Sequence, residues 1–189
     1  MQPVVEHYQQ MAGTDPDNFK ADNARSHDNY SVCLSKMGDW KQALDASQKA
    51  VELFKQLAVT NSAAFNAHLA NSLDNYSSHL SGMGQQEEAL DTIQQAVELY
   101  KQLAMTNPAA FNADLARSLN NYSLHLSDMG DQELALDAVQ QAVALYVELS
   151  TKYPVKFESI LQRSVEWHSK CQLNSLSDSQ TLQSEENGI

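Results

Sequence analysis

The chain has little of what usually announces chemistry or a membrane. Only two of its 189 residues are cysteines, Cys33 and Cys171, and they follow neither a disulfide framework nor a metal-ligand spacing. Aromatic residues make up 7%, so the core must be built from Leu, Ala, Val and Met, which favours helices over a β-sandwich. Basic residues are half as many as acidic ones, 12 against 24, and the net charge is −12. Such a chain repels a phosphate backbone and an anionic lipid surface, which speaks against nucleic-acid and membrane partners. No apolar run approaches the roughly 18 residues that a membrane span needs. The start, Met1-Gln-Pro-Val-Val-Glu, has neither the basic nor the apolar region of a secretory signal, so a reducing cytoplasm is the expected compartment. Also missing are a Gly-rich phosphate loop, a G-x-S-x-G elbow and an H-E-x-x-H pair, and the acidic residues are scattered. Neither catalysis nor a cofactor or metal is expected.

What the chain does have is self-similarity. Asn61-Ser-Ala-Ala-Phe-Asn-Ala-His-Leu-Ala returns as Asn107-Pro-Ala-Ala-Phe-Asn-Ala-Asp-Leu-Ala, 46 residues later. Between 61–106 and 107–152, 30 of 46 positions are identical. An older copy at 15–60 keeps Phe19, Asn29-Tyr30-Ser31, Met37-Gly38 and Ala43-Leu44-Asp45. Partial copies flank the array: a second helix only at 1–14 and a first helix only at 153–170. A chain that begins inside a repeat suggests a fragment, or the worn end of a longer array. Residues 171–189 are rich in Ser, Gln and Glu, lack periodicity and read as a disordered tail.

Each repeat divides into two helices. Phe65, Leu69, Leu73, Tyr76, Leu80 and Met83 recur at helical spacing, and so do Ala89, Ile93, Ala96, Val97, Tyr100, Leu103 and Ala104. Gly38, Gly84 and Gly130 fall between the stripes, where a C-terminal cap belongs. Asp15-Pro16 and Asn107-Pro108 open first helices as an N-cap followed by proline. Ser31, Ser77 and Ser123, with Ala43, Ala89, Ala135, Ala50, Ala96 and Ala142, keep small side chains where helices must approach. One hairpin cannot bury its stripe alone, so the hairpins stack. The expected fold is all-α, an α-solenoid of antiparallel helix hairpins with a 46-residue period.

The stretch from Leu119-Asn-Asn-Tyr-Ser through Met129-Gly130 and Ala135-Leu136-Asp137 to Leu145-Tyr146 resembles a tetratricopeptide repeat. The L-N-N opening and the G-x-x-x-x-A-L turn are most similar to the kinesin-light-chain-like branch. The resemblance covers nearly all of residues 5–170. The period is longer than the family's usual 34, which implies lengthened helices. The resemblance implies a superhelix whose first helices line a concave groove that holds an extended peptide or a helix of a partner protein. It also implies that the second Asn of the triplet bonds the peptide backbone, which points to Asn29, Asn75 and Asn121. Asn71, Asp74, Asn75, Ser78 and Gly82 are expected on the face opposite the buried stripe, with Asn120 in the register of Asp74.

The chain's three arginines, Arg25, Arg117 and Arg163, share one register, with Asn71 in the fourth place. They stand four residues before the asparagines. Arginine forks pair with carboxylates, so such a row would select an acidic peptide or a C-terminal carboxylate. Shared descent also accounts for a repeated residue, and Asp28 and Asp74 would offset the row's charge. His79 and His125 align with Cys33, but equivalent positions in stacked repeats lie about 10 Å apart. Zinc ligands converge to about 2 Å from one ion, so no shared metal site is expected.

These residues predict a protein-interaction module. A regulatory or sensor fragment of a larger signalling protein, or an inert structural spacer, is the alternative. The first repeat is expected to be the least stable, because Asn23, His27 and Ser47 replace Leu69, Leu73 and Ile93. End helices without polar caps predict end-to-end self-association.

Overall fold

The computed structural model describes the backbone of residues 16–186 and the side chains of residues 19–175. The partial copy at 1–14 and the last three residues lie outside it. Seven α-helices and no strand occur among the described residues: α1 Pro16–Lys36, α2 Trp40–Thr60, α3 Ser62–Gly82, α4 Gln86–Thr106, α5 Pro108–Asp128, α6 Gln132–Lys152 and α7 Pro154–Glu186. The all-α class expected from the periodicity is the one observed.

The signals that bound the helices are local. Asn61 and Asn107 cap α3 and α5, each side-chain oxygen accepting from the backbone N–H three residues on, Ala64 and Ala110. Pro108 follows its cap as the first helical residue, where a missing N–H costs nothing. At the far end of α1, Asp39 N–H reaches Leu34 O and Gly38 N–H reaches Ser35 O. The same pair of bonds closes α3 at Gly84 and α5 at Gly130. Such a closure requires the left-handed backbone, and the three glycines have φ of 83°, 80° and 90°.

The chain forms two compact units, residues 1–85 and 86–189. In the first, α1 packs on α2 and α2 on α3, with α1 also touching α3. In the second, α4, α5, α6 and α7 pack in succession. Each unit is therefore the stack of antiparallel helices that the repeat calls for. Its core alternates full-sized side chains with the small ones: Phe54 and Leu57 beside Ala43 and Ala50 in the first unit, Ile93, Val97, Tyr100 and Val139 beside Ala96, Ala135 and Ala142 in the second. Ser31, Ser77 and Ser123 are fully buried, and each hydroxyl donates to the backbone oxygen three residues earlier. Their polarity is thus absorbed within the helix.

Four expectations change. The stripe's last member, Met83, lies at the helix end and is exposed, as are Met37 and Met129, so the core stops at the leucine one turn earlier. Asp74 is not on an open face, whereas Gly82 is exposed beside Trp40. Asp74 is 1% exposed, and a Cβ on Gly82 would stand 2.6 Å from the Trp40 ring. Of the polar replacements in the first repeat, Asn23 is exposed and His27 half-buried, whereas Ser47 is fully buried and meets His79 Nδ1 at 3.0 Å. Finally, α7 continues past Lys170 to Glu186, through the stretch read from sequence as a tail. The exposed positions of α7 mix polar residues such as Glu158, Gln162, Glu166 and Lys170 with Val155, Val165 and Leu173.

Candidate binding site

Asparagines and arginines occupy repeat-equivalent positions, yet the two units use them differently. In the first unit, Asp28 of α1 is 8% exposed. Its carboxylate accepts from Asn71 Nδ2 at 3.0 Å and from Asn75 Nδ2 at 3.1 Å, both on α3. A carboxylate taken out of water must be compensated, and two amide donors one helical turn apart do this from the neighbouring first helix. Asp28, weighed from the sequence as a counter-charge to the arginine row, accepts from both carboxamides. Asn29 is exposed on α1, and Arg25 pairs with Asp22 of its own helix at 3.1 Å, in a contact open to solvent.

The histidines of this unit belong to its packing. His68 stacks on Phe54 with centroids 5.4 Å apart, and His79 meets the Trp40 ring edge-on at 6.4 Å. Burial pushes both pKa values down. The Arg25 charge lowers that of His68 further, and Asp28 opposes the shift in each. The Ser47–His79 contact superficially resembles a nucleophile and its base. Both residues are buried, however, and the serine hydroxyl also bonds Ala43 O at 2.9 Å, so the pair joins α2 to α3.

In the second unit the corresponding side chains border a cavity of about 390 Å³. It lies between Arg117, Asn120 and Asn121 of α5, Tyr146 of α6, and Arg163 and Ser164 of α7. Four of the expected binding residues, Arg117, Asn120, Asn121 and Arg163, therefore share one wall-to-wall space. Arg117 bonds Asp114 of its own helix at 3.2 Å. Ser164 Oγ donates to Asn120 Oδ1 at 3.0 Å, and Trp167 Nε1 donates to Ser123 Oγ at 2.7 Å, so α7 is pinned to α5 by two side-chain bonds. Lys170 lies 5.3 Å from the Trp167 ring centroid, placing a further positive charge on α7.

Sequence reasoning missed Tyr146, Ile160 and Ser164 as lining residues. Tyr146 repeats the position of buried Tyr100, so its stripe marks it as core and hides its edge. Ser164 repeats Ser118 and reveals nothing until α7 is placed against α5. His125 is 6% exposed and neither ring nitrogen has a protein partner. The reason is one substitution: Ile93 stands where Ser47 serves His79. Burial lowers the His125 pKa, with Asp128 opposing.

The possible chemistry is recognition. The cavity offers guanidinium and carboxamide donors, a phenol and an aliphatic wall. No described helix is long and apolar enough to cross a membrane.

Residues 22–102 match the tetratricopeptide repeat family model. Two solved structures are similar in fold. The crystal structure of MamA is 15% identical with a TM-score of 0.48, over 93% of this chain and 89% of that one. The crystal structure of BtubC (BKLC) from P. vanneervenii is 14% identical with a TM-score of 0.42, over 100% and 90%. No curated protein matches the chain.

Proposed function

Because residues 22–102 match the tetratricopeptide repeat family model, we infer that the chain is a protein-interaction module that holds a segment of a partner protein, with its docking site in α5–α7. Repeats of this family generally mediate protein–protein contact. The observation that carries the placement is the gathering of Arg117, Asn120, Asn121 and Arg163 around one cavity. Its size falls within the roughly 300–1,000 Å³ typical of binding pockets, so it accommodates a few side chains and the backbone between them. In the first unit Asn75 donates to Asp28, and in both units an arginine of the row, Arg25 or Arg117, pairs with an aspartate of its own helix. The free thiols Cys33 and Cys171 suit a reducing, cytoplasmic setting.

The test is capture from a lysate of the source cell with the chain as bait, beside an Asn121→Trp variant that fills the cavity. The half-buried position faces the cavity, and α7 already carries Trp167 in that register. The expected result is a protein held by the parent and lost by the variant, with both equally helical by circular dichroism. Equal capture by the two would place the partner on another face.

A further inference from the structure

We propose that the α4–α5 junction is an acid-operated latch: the neutral ring of His125 closes it, and a ring carrying protons on both nitrogens opens it.

The first unit has the same junction without the device. At α2–α3, Trp40 lies beside Gly82 and meets the ring of His79 with centroids 6.4 Å apart. Ser47 Oγ donates to Ala43 O at 2.9 Å, so its lone pairs are what face His79 Nδ1 at 3.0 Å. That nitrogen is then a donor, and it keeps the bond whether the ring is neutral or charged.

One period later all three neighbours of the histidine have changed. Gln86 stands for Trp40, Asp128 for Gly82 and Ile93 for Ser47. Ile93 is fully buried and brings no polar atom. His125 is buried as well and neither of its nitrogens has a protein partner, nor does the buried Oε1 of Gln86. Two unpartnered polar groups thus occupy the registers of two rings that touch in the first unit. A neutral imidazole leaves one N–H unmet there. A protonated one leaves two, together with a net charge, and burying an ionised group without acceptors is far more costly.

The ring can be charged only by leaving its place. Asp128, three residues on and exposed, stands on the same helix and favours the charged form, but burial opposes it and prevails in the closed junction. At this end of the neighbouring helices the charged side chains are Glu87 and Glu88 of α4, Asp131 and Glu133 of α6 and Lys170 of α7. Four of these five are carboxylates, so their sum favours a proton on an outward-turned ring. Turning out removes from between α4 and α5 the side chain that fills the space, and this loosens the contact. In the open junction the imidazole returns to its ordinary value of about 6.5. Protons therefore favour opening below that pH and have no effect above it.

The test is native-state hydrogen exchange on the whole chain at pH 7.5 and 5.5, with protection corrected for the intrinsic pH dependence of exchange. A single group of this kind multiplies the open population by at most about tenfold over that interval. We expect protection at 86–93 and 122–130 to fall by about three- to tenfold at pH 5.5. In His125→Leu, which keeps an apolar side chain in the space and removes the titrating group, the fall should vanish. An NMR titration of the imidazole carbons in the unaltered chain provides a second reading that needs no variant. The His125 signal should titrate with a midpoint below that of a free imidazole, and the loss of protection should set in above that midpoint. Unchanged protection at pH 5.5, a fall of equal size in His125→Leu, or a His125 ring that titrates as a free imidazole does would each overturn the proposal.

Discussion

The α1–α3 and α5–α7 junctions descend from one repeat and have come to opposite arrangements. At α1–α3 the charge is internal: Asp28 is buried and bonded by Asn71 and Asn75. At α5–α7 the acceptor is a neutral asparagine, an arginine faces it, and the space between is a cavity. At repeat-equivalent positions the two junctions differ by a few side-chain exchanges, which leave a bonded carboxylate at one and a cavity at the other. A register of repeated residues therefore shows where a group stands and not whether it is spent.

The comparison breaks most visibly if Asp28 is removed. Asp28→Ala leaves two half-buried carboxamides without their charged acceptor, and bonds to charged groups are worth about 1.5–3 kcal/mol each. With water recovering part of this, a loss of about 2–3 kcal/mol is expected, seen as faster amide exchange throughout α1–α3. Asn120→Ala removes one neutral bond at the equivalent site and should cost about 1 kcal/mol or less in α5–α7. Equal losses would mean that the two junctions are held alike.

Gly82→Ala tests the packing of the first unit with a single methyl. Its Cβ meets the Trp40 ring at 2.6 Å, so a melting or urea experiment should register about 1–2 kcal/mol of destabilisation. Asp128→Ala, at the corresponding exposed position of α5, should stay within about 0.5 kcal/mol. The two buried histidines should then respond with opposite signs. His79→Leu forfeits the bond to Ser47 and should destabilise by about 1 kcal/mol, whereas His125→Leu removes two buried nitrogens without protein partners and should stabilise by a similar amount. Urea midpoints would decide it, and a His125→Leu variant less stable than the parent would show that those nitrogens are satisfied.

Acid should act through the same residues more gently. Burial lowers the folded-state pKa values of His79 and His125 below the ordinary imidazole value of about 6.5. Below about pH 6.5 the unfolded chain then binds more protons than the folded one, so this contribution to stability is complete above 6.5 and is lost as pH falls through the folded values. Between pH 8 and 5.5 the urea midpoint should drop, and the drop should shrink in the His79→Leu, His125→Leu double variant. An undiminished drop would assign the acid sensitivity to other groups.

The fold was legible because its determinants are local and repeated. The prolines, the capping asparagines and the glycine closures each act within a few residues, and the 46-residue repetition shows them several times. The site was legible only as a set of registers. Asn71 and Asn75 reach Asp28 across 43 and 47 residues, three short of and one beyond the 46-residue period, and the choice between binding a peptide and binding Asp28 depends on side-chain orientation that no spacing encodes. The end of α7 was missed for a related reason. Past Lys170 few apolar residues mark a buried stripe, so periodicity is a poor guide there, yet the first stretch is anchored by fully buried Cys171 against Leu126 and Val139.

Hydrogen exchange with and without the captured partner tests the central claim most directly. If the first unit spends its polar row on itself and the second presents its row to a ligand, the partner should slow exchange at 117–121 and 160–167 and leave 25–29 and 71–75 unchanged. Protection gained at α1 and α3, with α5 and α7 unaffected, would contradict the account.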